Sequence, residues 1–211
     1  PQQSALFDYE AFIMMAYQSN HAEVFLPASA PFPNLNRIVI DTLLNDLENE
    51  EIPPFGRWHA ASALSRIDGP VFITEAPIII ARMTKVFSVQ ARKVLDLAAT
   101  GQTKGKSYTD EWNICSVLAN TLGSLGKNGS AAIPALLEAP NGTQDSRLFG
   151  IINSAIFRIA DGLDEATQRK IADEFEYAIE KFPFSANPSR DPKILAQKRI
   201  AALRGRTEKN E

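Results

Sequence analysis

Apolar residues recur along this chain at steps of three and four, and few segments alternate as strands do. Ile171, Phe175, Ala178, Ile179 and Phe182 form one such stripe. Ile114, Val117, Leu118, Thr121, Leu122 and Leu125 form a second, and Leu148, Ile152, Ala155, Ile156 and Ile159 a third. Each stripe lies on one side of a helix and leaves polar groups on the other, so each must be buried against a neighbour. The pattern predicts helices over 4–19, 35–48, 55–68, 75–99, 110–126, 130–138, 144–160, 164–182 and 190–204.

Punctuation agrees with these limits. Thr74, Thr109, Ser130, Asp164 and Ser189 stand where a side-chain oxygen would accept an orphan backbone N–H at a helix start. Pro77, Pro134 and Pro192 follow three of them within the first turn, where a missing N–H costs little. Gly69, Gly126 and Gly162 fall just after apolar runs, as helix terminators do. Residues 20–34, with Pro27, Pro31 and Pro33, read as an irregular connection. Residues 100–108 read as a polar loop, and 206–211 as a flexible tail.

Self-comparison adds a longer period. Ala63-Leu64-Ser65-Arg66-Ile67-Asp68-Gly69 is similar to Ala155-Ile156-Phe157-Arg158-Ile159-Ala160-Asp161-Gly162, and Thr121-Leu122-Gly123-Ser124-Leu125-Gly126 falls between them. The last two units are 34 residues apart. Arg57-Trp58-His59-Ala60-Ala61-Ser62-Ala63-Leu64-Ser65-Arg66-Ile67 resembles the first helix of the HEAT family of helical repeats, including its subgroup related to phycobilisome lyases. Ala131-Ala132-Ile133-Pro134-Ala135-Leu136-Leu137 looks like the start of that family's second helix. Only the first unit keeps the family's arginine, as Arg57; Cys115 and Phe149 stand at that position later. The resemblance covers about residues 37–182. It implies an all-α fold: a short right-handed α-solenoid of irregular HEAT-like helix pairs, about nine helices in a single domain over 1–205.

Composition narrows the class. The 211 residues are 45% hydrophobic and 22% charged, a globular balance. The formal net charge of −3 argues against a protein built mainly to hold nucleic acid. The single cysteine, Cys115, allows no internal disulfide and no cysteine-ligated zinc site. No uncharged apolar run approaches the roughly 20 residues of a membrane span. With no leader pattern at its start, the chain reads as cytoplasmic; a leader removed before Pro1 stays open.

Candidate chemistry is sparse. Gly101-Gln102-Thr103-Lys104-Gly105-Lys106-Ser107 has three residues between its glycines where a phosphate loop has four, and it leaves a helix where that loop leaves a strand. His21 and His59 are the only histidines and have no metal-ligand spacing. Cys115 lies near an apolar stripe, where a buried thiol is the simpler account. The carboxylates Asp46, Glu48, Glu50 and Glu51 read as a hydrated helix end. The sequence thus shows no catalytic residue, no metal site and no cofactor site. One feature stands out: from Ala76 to Leu95 there is no acidic residue, yet Arg82, Lys85, Arg92 and Lys93 project within one arc of roughly 100°. Lys104 and Lys106 extend the strip into the following loop. These six are the candidate partner-binding residues. The expected function is a protein–protein interaction module, an adaptor, assembly factor or immunity-type inhibitor, that meets an acidic protein face. The alternative is a HEAT-like DNA-binding protein of the alkylated-base glycosylase type, recruiting Trp58, Trp112, Arg57 and the basic strip. The lyase-related subgroup adds a third reading, a lyase or chaperone for a pigment, which rests on fold analogy alone.

Overall fold

The computed structural model describes residues 33–64, 70–100, 109–139, 146–180 and 192–205. Among the described residues there are eight α-helices and no strand, so the protein is all-α. The helices are α1 (Pro33–Glu48), α2 (Pro54–Leu64), α3 (Pro70–Ala99), α4 (Asp110–Ser124), α5 (Ile133–Glu138), α6 (Ser146–Ala160), α7 (Glu165–Glu180) and α8 (Pro192–Gly205). A 3-10 helix, Gly126–Ala132, joins α4 to α5. The ninth expected helix, 4–19, lies outside the described residues, as do Gly69, Ser189 and the tail. None of the described helices is long and apolar enough to cross a membrane.

The boundaries follow local chemistry, with instructive departures. Thr109 caps α4, its side chain accepting the Trp112 N–H at 3.2 Å. Gly126 ends the same helix in the left-handed region, φ 53°, which an L side chain rarely adopts. Gly162 follows α6 without that conformation. Thr74, expected as a cap, lies inside α3, which starts at Pro70 and carries Pro77 in its interior. Pro70 supplies the favoured first-turn proline, so the helix needs no later start. Ser130 is likewise not a cap: the 3-10 turns absorb it, and α5 begins at Ile133 with no side-chain cap.

Asp164 caps α7 as expected. Its Oδ1 accepts the Thr167 N–H at 3.0 Å and its Oδ2 accepts the Thr167 hydroxyl at 2.7 Å. These bonds, the hydroxyl first and the N–H second, hold its carboxyl below the ordinary carboxylate range. A pKa depressed on folding gives stability that is present above the unfolded value of about 3.9 and lost as pH falls through the folded value. Asp164→Asn keeps a cap acceptor but cannot titrate. Its urea midpoint is therefore expected to fall less steeply than the wild type's below that pH; parallel acid limbs would refute the assignment.

The chain divides into two compact units, Pro1–Ile79 and Ile80–Glu211, with the boundary inside α3. In the first unit α1 packs on α2. Ile40, Leu43, Leu44 and Leu47 of α1 are buried, as are Ala60, Ala61, Ala63 and Leu64 of α2. The alanines let the two backbones approach, and the leucines fill the space between. Arg57 is buried, and its Nε donates to the Leu47 carbonyl at 2.9 Å. That carbonyl belongs to the last turn of α1, where no helical N–H is left to satisfy it. A cation there also complements the helix dipole. Cys115 and Phe149, which the sequence comparison sets against Arg57, are fully buried.

In the second unit α6 is the hub. It touches α4, the 3-10 helix, α5, α7 and α8, and its contact with α4 is the most extensive. The stripe Leu148, Ile152, Ala155, Ile156 and Ile159 is buried throughout, as is Phe149. On α4, Ile114, Leu118, Thr121 and Leu122 are buried and Val117 is half-buried, as is Leu125 just past the helix end. On α7 the stripe Ile171, Phe175, Ala178 and Ile179 is buried, and Phe182 lies outside the described residues.

The α4–α6 crossing depends on a missing side chain. A Cβ on Gly123 would lie 2.7 Å from Ala155 Cα and 2.9 Å from Ala155 Cβ, so the two helices meet backbone to backbone. Gly123→Ala gains about 1 kcal/mol of helix propensity but forces overpacking worth about 1–3 kcal/mol. The expected net is a loss of up to about 2 kcal/mol, toward the upper end because a backbone cannot move aside as a side-chain tip can. At Gly150 no described atom lies within 4 Å. Gly150→Ala in the same unit is therefore expected to stabilise by about 0.5–1 kcal/mol. Chemical denaturation of both variants checks the pair; equal signs would mean the crossing is looser than described.

Candidate functional site

The basic strip of α3 is split by the fold into two exposed and two half-buried members. Lys85 and Arg92 are exposed; Arg82 and Lys93 are half-buried and take part in interactions of their own. Lys104 and Lys106 lie outside the described residues. The division follows from which arc of α3 is buried. Ile80, Met83, Val86, Phe87, Gln90, Ala91 and Val94 face inward, which puts Lys85 and Arg92 on the opposite side and Arg82 and Lys93 at its margins.

Between the two exposed cations sits Val89, 42% exposed. Lys85, Val89 and Arg92 are spaced i, i+4, i+7 and therefore share one helix face. An apolar contact flanked by two cations suits a partner surface that carries carboxylates around an apolar centre. Val89 was legible in the sequence, since it falls inside the basic arc; attention to charge alone passes over it. Arg92 also rims a groove of about 280 Å³ walled by Leu95 on the α3 side and by Glu138 and Ala139 on the α5 side.

A larger groove, about 560 Å³, opens in the second unit between α4, α6 and α8. Asn120 lines it from α4; Ser154, Phe157, Arg158 and Asp161 line it from α6; Arg199, Ala202 and Leu203 line it from α8. Its two arginines converge on Ser154. Arg199 Nη1 donates to the Ser154 hydroxyl at 3.2 Å, and Arg158 Nε makes a long bond to the Ser154 carbonyl at 3.4 Å. Arg158 Nη2 also donates to Asn120 Oδ1 at 3.0 Å. The Arg199 guanidinium lies over the Phe157 ring, 5.5 Å from its centre. Phe157 is held edge-on by the buried Phe175 ring at 5.6 Å.

Arg204 fastens α8 to α7. Its Nη2 donates to Glu176 Oε2 at 2.7 Å and to Asp173 Oδ1. The Glu176 bond and then the Asp173 bond hold its guanidinium above the ordinary arginine value, so it stays charged. These groups are well exposed, and such pairs stabilise by no more than about 1 kcal/mol. Their role is to set where α8, and with it Arg199, sits on the unit. Arg158 and Arg199 were not visible as a pair in the sequence. They are 41 residues apart on different helices, and only the packing of α8 on α6 brings them to one residue.

Three further sequence candidates, Cys115, His59 and Arg57, have structural explanations. Cys115 is fully buried, and burial pushes its thiol well above the ordinary cysteine value, away from nucleophilic use. His59 packs edge-on against Phe55 and Trp58, at 4.2 and 4.7 Å between ring centres. Arg57, which a nucleic-acid surface would need exposed, is buried on Leu47. Among the described residues no group of three or more His, Cys, Asp or Glu side chains is arranged to hold a metal ion. His21 and the 101–107 loop lie outside the described residues.

No family model matches the chain. No curated protein and no solved structure matches it either.

Proposed function

We propose that this protein is a protein–protein interaction module, an adaptor, assembly factor or inhibitor, built as a short right-handed α-solenoid of HEAT-like helix pairs and binding an acidic face of its partner. The observation that carries this reading is the outer face of α3. Lys85, Val89 and Arg92 share one exposed arc, in a stretch from Ala76 to Leu95 that holds no acidic residue.

The solenoid part draws support from the order of contacts in the second unit. The repeat units at 121–126 and 155–162 fall at the ends of α4 and α6, and these two helices pack together. The helices that follow them, α5 and α7, also touch each other, and α8 continues the series by packing on α6. First helices on first helices and second on second is the stacking that a solenoid requires.

The test is affinity capture with the wild type and with Lys85→Glu/Arg92→Glu side by side. Leaving Arg82 and Lys93 untouched spares groups with structural interactions. A partner recovered by the wild type is expected to be lost from the variant, with helical content unchanged, and its retention should fall as salt rises. Exposed charges are screened within about 10 Å at 0.1 M salt, and steering by them acts mainly on the association rate. Equal recovery by both proteins at low salt would remove α3 from the interface.

A further inference from the structure

We propose that the groove between α4, α6 and α8 is a carboxylate-recognition site that takes a glutamate or aspartate of an acidic peptide segment, with Arg158 and Arg199 as its two forks. The proposal shares with the interaction reading only the class of partner; the site is separate from the α3 face.

Three features carry it. The first is charge. Two guanidinium groups from different helices are anchored to the two oxygens of Ser154, and neither forms an ion pair among the described residues. Their other bonds go to a neutral amide, Asn120, and to the Phe157 ring. The two cations border one groove and repel one another. An anion bound by both offsets that repulsion and gains charge-assisted hydrogen bonds.

The second is preorganisation. An arginine has five N–H donors. Arg158 uses its Nε and one Nη2 hydrogen on these anchors, and Arg199 uses one Nη1 hydrogen, so both planes are fixed while most donors stay available. A fixed fork loses less entropy on binding than a free side chain. The supports are themselves fixed: Phe157 by Phe175, and α8 by the Arg204 bonds to α7.

The third feature selects the kind of anion. The groove, about 560 Å³, has the size of a ligand site. Phe157 and Ala202 offer apolar surface beside the two cations, which suits the side chains of a peptide. Asp161 lines the same groove and disfavours a dianion or a run of phosphates, as does the net charge of −3. A single carboxylate flanked by apolar groups meets all three conditions.

The probe is a fluorescein-labelled peptide of alternating glutamate and leucine, with a glutamine-for-glutamate peptide as its counterpart. Both are titrated by fluorescence anisotropy at low ionic strength. The wild type is expected to bind the glutamate peptide saturably and the glutamine peptide at least about tenfold more weakly, tenfold being about 1.4 kcal/mol. Arg158→Gln/Arg199→Gln should weaken the glutamate peptide by a similar factor, with circular dichroism unchanged. Asn120→Asp is the second variant. It leaves both arginines in place but gives Arg158 a carboxylate of its own, and it should weaken binding severalfold even if the double variant is poorly folded. Lys85→Gln/Arg92→Gln, which adds no negative charge to repel the peptide, should leave the Arg158- and Arg199-dependent binding in place. That arm separates the groove from the α3 face, since either can fail while the other stands.

Peptide binding that survives both groove variants, or that is equal for the glutamine peptide, would overturn the proposal. So would loss of peptide binding in the α3 variant alone. Saturable, Arg158- and Arg199-dependent binding of inorganic phosphate with no binding of the glutamate peptide would make the groove a phosphate site instead.

Discussion

Phe175→Ala is expected to cost about 3–5 kcal/mol, the range for emptying a fully buried aromatic site. The ring is completely buried on α7 and touches two others: Phe149 stacks on it at 6.1 Å and Phe157 meets it edge-on at 5.6 Å. Removing it loses the buried apolar surface and leaves a hole that the two neighbouring helices cannot fill without moving. The rings themselves add about 0.5–1.5 kcal/mol per well-oriented pair beyond their area. Urea denaturation followed by circular dichroism measures the loss. Lys170→Ala on the exposed face of the same helix, where its ammonium pairs with Glu174 at 3.8 Å, should stay within about 0.5 kcal/mol of wild type. Comparable losses at the two positions would mean that the buried face of α7 has been assigned wrongly. Because Phe157 leans on Phe175 and carries Arg199, the folded fraction of Phe175→Ala should also bind the acidic peptide more weakly.

Leu122→Ala and Ile156→Ala should each lose about 2–5 kcal/mol. Both side chains are fully buried, one on α4 and one on α6, and these helices form the most extensive contact of the second unit. The backbone contact at Gly123 and Ala155 keeps the helices from closing onto a new cavity, which places the expected losses toward the upper part of the range. Denaturation midpoints report the effect, with the slope checked to confirm that the unfolded state is unchanged. A loss below about 1 kcal/mol at either site would show that the crossing relaxes more freely than the Gly123 contact implies.

Most of the described helices were legible from apolar spacing, because a stripe that repeats every three to four residues has no stable place except against another element. Caps were legible where a single residue satisfies the local need. Thr109 and Asp164 bond the N–H groups three residues on, and Gly126 takes the left-handed conformation that ends α4. The misplaced starts have a different cause. A serine or threonine before an apolar run is compatible with a cap, a mid-helix position or a 3-10 turn, and neighbours choose among them. Pro70 let α3 begin earlier than Thr74 suggested, and the 3-10 segment delayed α5 past Ser130.

The sequence by itself determined that this protein is helical, which faces of its helices are apolar, and that α3 carries a strip of cations without acids. Periodicity and local charge are properties of neighbours along the chain, so the chain alone can specify them. Tertiary structure decided the rest. It divided the strip into exposed Lys85 and Arg92 and half-buried Arg82 and Lys93, because exposure depends on which arc the rest of the unit covers. It also brought Arg158 and Arg199 to the two oxygens of Ser154, because the distance between residues on separate helices is set by packing and not by their spacing in sequence.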